Sequence, residues 1–133
     1  MSLPHIILAA HGSRRTESNQ EVRRLAEQLG AGLDGAQVRA AFLEFEKPTI
    51  ADALHACGRE GAESVMVVPY FLAAGRHVTH DLPAVIAETM QKHPQVKVRL
   101  LPHLGAFTDL SQLLLGGLFT TLGTPQTRQF ALR

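Results

Sequence analysis

Four short apolar runs alternate along the chain with four stretches in which apolar residues recur every three or four positions. The first run, Pro4 to Ala9, carries Ile6, Ile7 and Leu8 without a polar break. A continuous apolar run of that length predicts a strand buried on both faces. Val22, Leu25, Ala26 and Leu29 then fall at i, i+3, i+4 and i+7, one stripe of a helix. Ser18-Asn19-Gln20-Glu21 has the form of a capping box and predicts the start of that helix, with Gly30 and Gly32 offering its stop. The second strand is expected over Gln37 to Phe45. Pro48 suits a first helical turn, which needs no amide from it, and Ile50, Ala53, Leu54 and Cys57 repeat the stripe up to Gly58 or Gly61. The third strand is Ser64 to Pro69, and a loop through Gly75 leads to Asp81 as the N-cap of a helix striped by Leu82, Val85, Ile86 and Met90. The fourth strand is Val96 to Leu101, followed by a stripe of Leu110, Leu113, Leu114 and Leu118 that Gly116 and Gly117 interrupt.

Strands joined through helices run parallel, with right-handed crossovers. The fold class is therefore α/β, a single open four-stranded parallel sheet flanked by helices, flavodoxin-like in general form. The 133 residues suit one domain, expected over 1–123. The remainder, 124–133, has no period and reads as a tail that is either disordered or pairs with a partner chain. Trp is absent and aromatic residues are scarce, so the core is aliphatic. A formal net charge of +1 supplies no global field for nucleic acid or anionic membrane, and anion recognition must be local. The single cysteine, Cys57, excludes a disulfide or multi-cysteine zinc site within the chain, and its place on an apolar stripe makes it a core residue. No apolar run is long enough to span a membrane, and the start of the chain lacks a basic segment followed by a long apolar stretch. The cytoplasm is the expected compartment.

In such a sheet every strand-to-helix loop lies at one edge, where open α/β sheets bind ligands. The first loop brings His11, Gly12, Ser13, Arg14 and Arg15; the second Glu44, Glu46 and Lys47; the third Tyr70, Arg76, His77 and His80; the fourth His103. Four of the seven histidines thus share that edge. Neutral imidazole is the commonest side-chain metal ligand. His11, His77 and Glu44 form a two-imidazole, one-carboxylate set that suits a borderline divalent ion and leaves a coordination position open, as catalytic sites do. Nearby arginines could hold carboxylates or phosphates through charge-assisted hydrogen bonds. The combination points to a metal delivered to an anionic small molecule. Blander readings stand beside it: His80 as a helix cap, His103 as a packed loop residue, Glu46 with Lys47 as a solvated surface pair.

Several ordered segments resemble one family, the small CbiX-type sirohydrochlorin chelatases of the class II chelatase group. They are Leu8-Ala9-Ala10-His11-Gly12-Ser13-Arg14 with Asn19; Ala41-Phe42-Leu43-Glu44 followed by Pro48-Thr49-Ile50; Val68 through His77 with Asp81-Leu82-Pro83 behind; and, more weakly, Leu101-Pro102-His103-Leu104-Gly105. The resemblance implies ATP-independent insertion of a divalent metal, cobalt or iron and less readily nickel, into sirohydrochlorin, a polycarboxylated tetrapyrrole on the route to cobalamin or sirohaem. It implies His11 and His77 as the site histidines and Glu44 as the acidic site residue. It also implies a homodimer, because small members are similar to one half of the longer chelatases. No permanently bound cofactor is expected; the divalent metal is a substrate. Ser13, Arg14, Arg15 and Arg76 are expected to bind substrate carboxylates, and Phe71 and Leu72 to pack on the macrocycle face. Two other classes compete: a non-enzymatic divalent metal carrier using the same ligands, and a phosphate-handling hydrolase or mutase working through His11.

Overall fold

Ile7 to Ala10 are buried because helices cover the sheet on both sides. In the computed structural model, which describes residues 3–123, the chain runs β1 (His5–Ala10), α1 (Thr16–Gly32), β2 (Val38–Phe42), α2 (Ile50–Arg59), β3 (Ser64–Pro69), α3 (Leu82–Met90), β4 (Lys97–Leu100) and α4 (Leu110–Leu122). A π-helical turn, His77–Asp81, leads directly into α3, and a 3₁₀ turn spans Leu104–Ala106. The tail expected over 124–133 lies outside the described residues.

The strands form one parallel sheet in the order β2-β1-β3-β4, with Leu8 of β1 level with Ala40 of β2 and Val68 of β3. From β1 the chain winds first to one side, then crosses to the other for β3 and β4. The winding reverses between β1 and β3, and the crevice beyond their carboxyl ends is the switch point where open sheets take ligands.

One face of the sheet, through Ile7, Ala9, Val65 and Val67, packs on Ile50, Ala53, Leu54 and Cys57 of α2 and Leu82 of α3. The other, through Leu8, Ala10, Ala40 and Phe42, packs on Val22 and Ala26 of α1. Cys57 is fully buried, and that burial pushes its thiol pKa up, which suits a packing residue and not a nucleophile.

Local chemistry moved several boundaries. Helix α1 starts at Thr16, before the expected Ser18, so no capping box forms. Asn19 is drawn instead toward the preceding loop, accepting from Ser13 N at 3.0 Å and donating to Ser13 O at 2.8 Å. The helix also continues through Gly30 and Gly32; the reversal falls at Asp34 and Gly35, which have positive φ. Strand β2 stops at Phe42, because the chain bends through Phe45, whose φ is +66°. The cap of α2 is Thr49, whose hydroxyl accepts from Asp52 N at 3.1 Å, so Pro48 stands outside the helix. Asp81 is no cap: its backbone is helical and its carboxylate makes no cap hydrogen bond. The stripe on α4 forms a helix uninterrupted by its glycines, yet none of its residues is buried; Leu113 is 71% and Leu114 59% exposed. On the α1 side of the sheet, Met66 and Val68 of β3 stay half-buried. Among the described residues no helix is long and apolar enough to cross a membrane.

Candidate functional site

The site begins where β1 runs out. Backbone pairing continues past the strand, with Leu43 N donating to Ala10 O at 3.0 Å and Glu44 N to His11 O at 2.9 Å. The loop after β2 is thereby laid along the loop after β1. Gly12 makes this possible: its φ is +93°, and a Cβ there would collide with the Glu44 carbonyl oxygen. Only glycine adopts that conformation at no steric cost. On the other flank Tyr70 N donates to Ala9 O at 2.8 Å, tying the end of β3 to β1.

His77 opens the π-helical turn, in which Leu82 N reaches back to His77 O. Such widened turns are frequent at functional sites. The turn sets Asp81 against the His77 ring, with Nδ1 2.9 Å from Oδ2. His80 Nδ1 lies 3.2 Å from the other oxygen of Asp81, and Arg76 Nε lies 4.0 Å from it. The His80 hydrogen bond, then that of His77, and the charge of Arg76 hold the Asp81 carboxyl below the usual carboxylate range. It therefore stays an acceptor.

The two imidazoles, 66 positions apart in sequence, meet with their Nε2 atoms 3.2 Å apart, ring centres at 4.7 Å and planes at 74°. The partners of the opposite nitrogens decide the chemistry. His77 Nδ1 faces a carboxylate, and His11 Nδ1 faces the Gly12 carbonyl oxygen at 3.1 Å. Both partners only accept, and with the proton on each Nδ1 each Nε2 presents a lone pair. Two lone pairs at this distance repel unless a proton or cation lies between them. Two nitrogens about 2.05 Å from one ion stand about 2.9 Å apart in an octahedral cis pair and about 3.4 Å apart in a tetrahedral one. The observed 3.2 Å falls between these values. Glu44 Oε2 stands 3.9 Å from His11 Nε2. Among the described residues no three His, Cys, Asp or Glu side chains already converge on one point that would hold an ion. The site is a histidine pair with a carboxylate at its side.

The remaining expected residues divide. Arg14 lies over the Phe45 ring, 4.9 Å from its centre, and that ring in turn lies 6.5 Å from the His11 ring. Ser13 Oγ accepts from Arg15 N at 3.0 Å and so shapes its own loop. Arg15 is turned toward Glu17, 4.0 Å away along α1. Arg76 is exposed and borders the pair through Asp81. Phe71 and Leu72 line a cavity of about 200 Å³ with Tyr70 and Leu104. Next to Leu104, a Cβ at Gly105 would collide with the Leu72 carbonyl oxygen. His103 caps the 3₁₀ turn by position. Glu46 and Lys47 are not a surface ion pair: Glu46 accepts from the Lys47 backbone amide at 2.8 Å, from Asn19 at 3.3 Å, and pairs with Arg23 at 3.3 Å. Those contacts, the Lys47 amide first, lower its pKa. Phe45 is a site neighbour that sequence reasoning did not single out, and Asp81 is one that it read as a helix cap. The i, i+4 spacing of Asp81 from His77 was the available signal. A phosphohistidine reading requires His11 Nε2 to face an anion pocket, whereas that nitrogen faces His77 and Glu44.

Residues 5–119 match the CbiX protein family. The sirohydrochlorin ferrochelatase of Bacillus subtilis (strain 168) is 32% identical over 93 residues, 70% of this chain and 36% of the relative. The sirohydrochlorin cobaltochelatase of Methanopyrus kandleri is 35% identical over 81 residues, 61% of this chain and 57% of the relative. The crystal structure of the sirohydrochlorin chelatase SirB from Bacillus subtilis subspecies spizizenii, in complex with cobalt, superposes with a TM-score of 0.76 at 26% identity, covering 90% of this chain and 52% of that one. The chain thus spans between about a third and somewhat over half the length of these relatives.

Proposed function

The chain belongs to the CbiX family, and on that premise we propose that it inserts a divalent metal, cobalt or iron, into sirohydrochlorin without ATP. The observation that carries this reading is the pair of Nε2 atoms, 3.2 Å apart at the switch point of the sheet. His11 and His77 take the incoming ion as substrate, not as a resident cofactor. Glu44 closes on it by side-chain rotation, and the remaining positions stay open for pyrrolic nitrogens. Metalation exchanges one M²⁺ for two pyrrolic N–H protons. As the macrocycle nitrogens take over the ion, the freed imidazoles and the Glu44 carboxylate are placed to receive those protons. Ion and proton compete for the same nitrogens, so the rate falls as the pH is lowered.

The exposed guanidinium groups of Arg14, Arg15 and Arg76, with Ser13, are assigned to the substrate carboxylates. Phe71 and Leu72 are assigned to the macrocycle face; Leu72 is 72% exposed beside the cavity they line. We assign a homodimer as the working form. Its support is the exposed leucine stripe of α4 and the half-buried β3 face. The assigned compartment is the cytoplasm, where the unpaired Cys57 thiol stays reduced.

The test is an anaerobic absorbance assay of sirohydrochlorin with Co²⁺, Fe²⁺ or Ni²⁺, using wild type, His11→Ala and His77→Ala, with folding checked by circular dichroism. Wild type converts the spectrum with cobalt or iron and both variants lose most of the rate. Variants as fast as wild type would remove the histidine pair from the reaction. A metal-binding wild type that leaves the spectrum unchanged would favour a carrier.

A further inference from the structure

A second pair of imidazoles lies away from the sheet's carboxyl edge. His55 is on α2, and His93 is in the turn that leads to β4, at the amino end of that strand. His55 Nδ1 and His93 Nε2 are 2.9 Å apart, ring centres at 5.2 Å and planes at 62°. We infer that His55 and His93 form a second divalent-metal site that clamps α2 to the end of α3.

Four observations support it. The separation equals the value of about 2.9 Å for two nitrogens in cis positions on one octahedral ion. The turn holding His93 is fixed by backbone bonds, His93 N to Met90 O at 3.1 Å and Val96 N to His93 O at 3.0 Å. Room for the ring is made at Gly58, within α2, where a Cβ would collide with the His93 imidazole. A glycine inside a helix is disfavoured relative to alanine, so that clearance is held against helix propensity. His55 also opens on a cavity of about 170 Å³ whose wall includes Glu88 and Lys92.

The donor chemistry is imidazole with a carboxylate nearby and no thiolate, which suits Zn²⁺, Ni²⁺, Co²⁺ or Cu²⁺. Two neutral rings can move their protons to the far nitrogens, His55 to Nε2 and His93 to Nδ1. Both facing lone pairs then reach the ion without net proton release. Water fills the remaining positions.

The test uses Zn²⁺ on the full chain carrying His11→Ala and His77→Ala, so the first pair contributes nothing. This chain binds one Zn²⁺ in equilibrium dialysis, and Zn²⁺ raises its thermal midpoint. Adding His93→Ala weakens binding by at least about tenfold and removes the thermal shift. His55→Gln does the same and serves if the first change unfolds the chain. Gly58→Ala, with both histidines present, also weakens binding. No Zn²⁺ on the chain that keeps His55 and His93, or equal binding with and without them, overturns the site. The outcome is independent of the chelatase reading, whose two histidines are absent from every variant.

Discussion

Asp81→Asn is the most searching perturbation of the histidine pair, because it changes almost no volume. The carboxylate uses both oxygens, Oδ2 toward His77 Nδ1 at 2.9 Å and Oδ1 toward His80 Nδ1 at 3.2 Å. An asparagine has one accepting oxygen and one donating NH₂ group, so it can satisfy only one of the two rings in its present tautomer. If the NH₂ faces His77, that ring must accept at Nδ1 and carry its proton on Nε2. The Nε2 lone pair that faces His11 is then lost. If the oxygen faces His77 instead, the tautomer survives but the negative charge is gone. Loss of such an outer partner typically weakens metal affinity or activity by about 10- to 100-fold. The expectation is a fall of that size in metalation rate at low cobalt, with an increased apparent KM for the metal and partial recovery at high cobalt. The assay is the initial rate of the sirohydrochlorin absorbance change against cobalt concentration, without oxygen. Nitrogen-15 NMR of the imidazoles should show His77 gaining Nε2–H character. Unaltered metal dependence with an altered tautomer would refute the claim that Asp81 acts by presenting the His77 lone pair.

Gly12→Ala should leave the chain folded but cripple metalation. The positive φ alone costs a Cβ-bearing residue about 1–2 kcal/mol, and the methyl would drive the His11 loop off Glu44 O; equal rates in both proteins would refute it. Leu114→Glu with Leu118→Glu on α4 should convert a dimer to a monomer in analytical ultracentrifugation, because both leucines are more than half exposed in one chain; an unchanged mass would remove α4 from the interface. Glu60 is hydrogen-bonded to Arg39 at 2.8 Å, and that bond holds its pKa below the usual carboxylate range. Its contribution is therefore fully present above about pH 4 and is lost as the pH falls through the depressed value. Glu60→Gln should lower the thermal midpoint slightly at pH 7 and not at all below that window; a difference that persists in strong acid would contradict the pairing.

The alternation of apolar runs and helical stripes was legible in sequence, and with it the parallel sheet, the burial of Cys57 and the span of β3. The boundaries that moved did so through short-range polar chemistry the stripe does not record. Asn19 took the Ser13 backbone, and Thr49 capped the helix that Pro48 was expected to start. Asp81 was misread because an acidic residue before a helix looks the same whether it caps the backbone or receives a ring. The π-helical turn, which periodicity does not reveal, decided for the ring. On α4 the stripe was real and its burial was not.

Residue pattern by itself determined that His11 and His77 would stand at one edge of a sheet, because strand-to-helix loops of a parallel sheet all emerge there. It did not determine that they would touch. That rests on the strand order β2-β1-β3-β4, which makes β1 and β3 neighbours, and on Gly12 and the π-helical turn, which aim the rings. Periodicity encodes how deeply each residue is buried. Which strand lies beside which, and therefore which nitrogen faces which, is settled only when the helices close on both faces of the sheet.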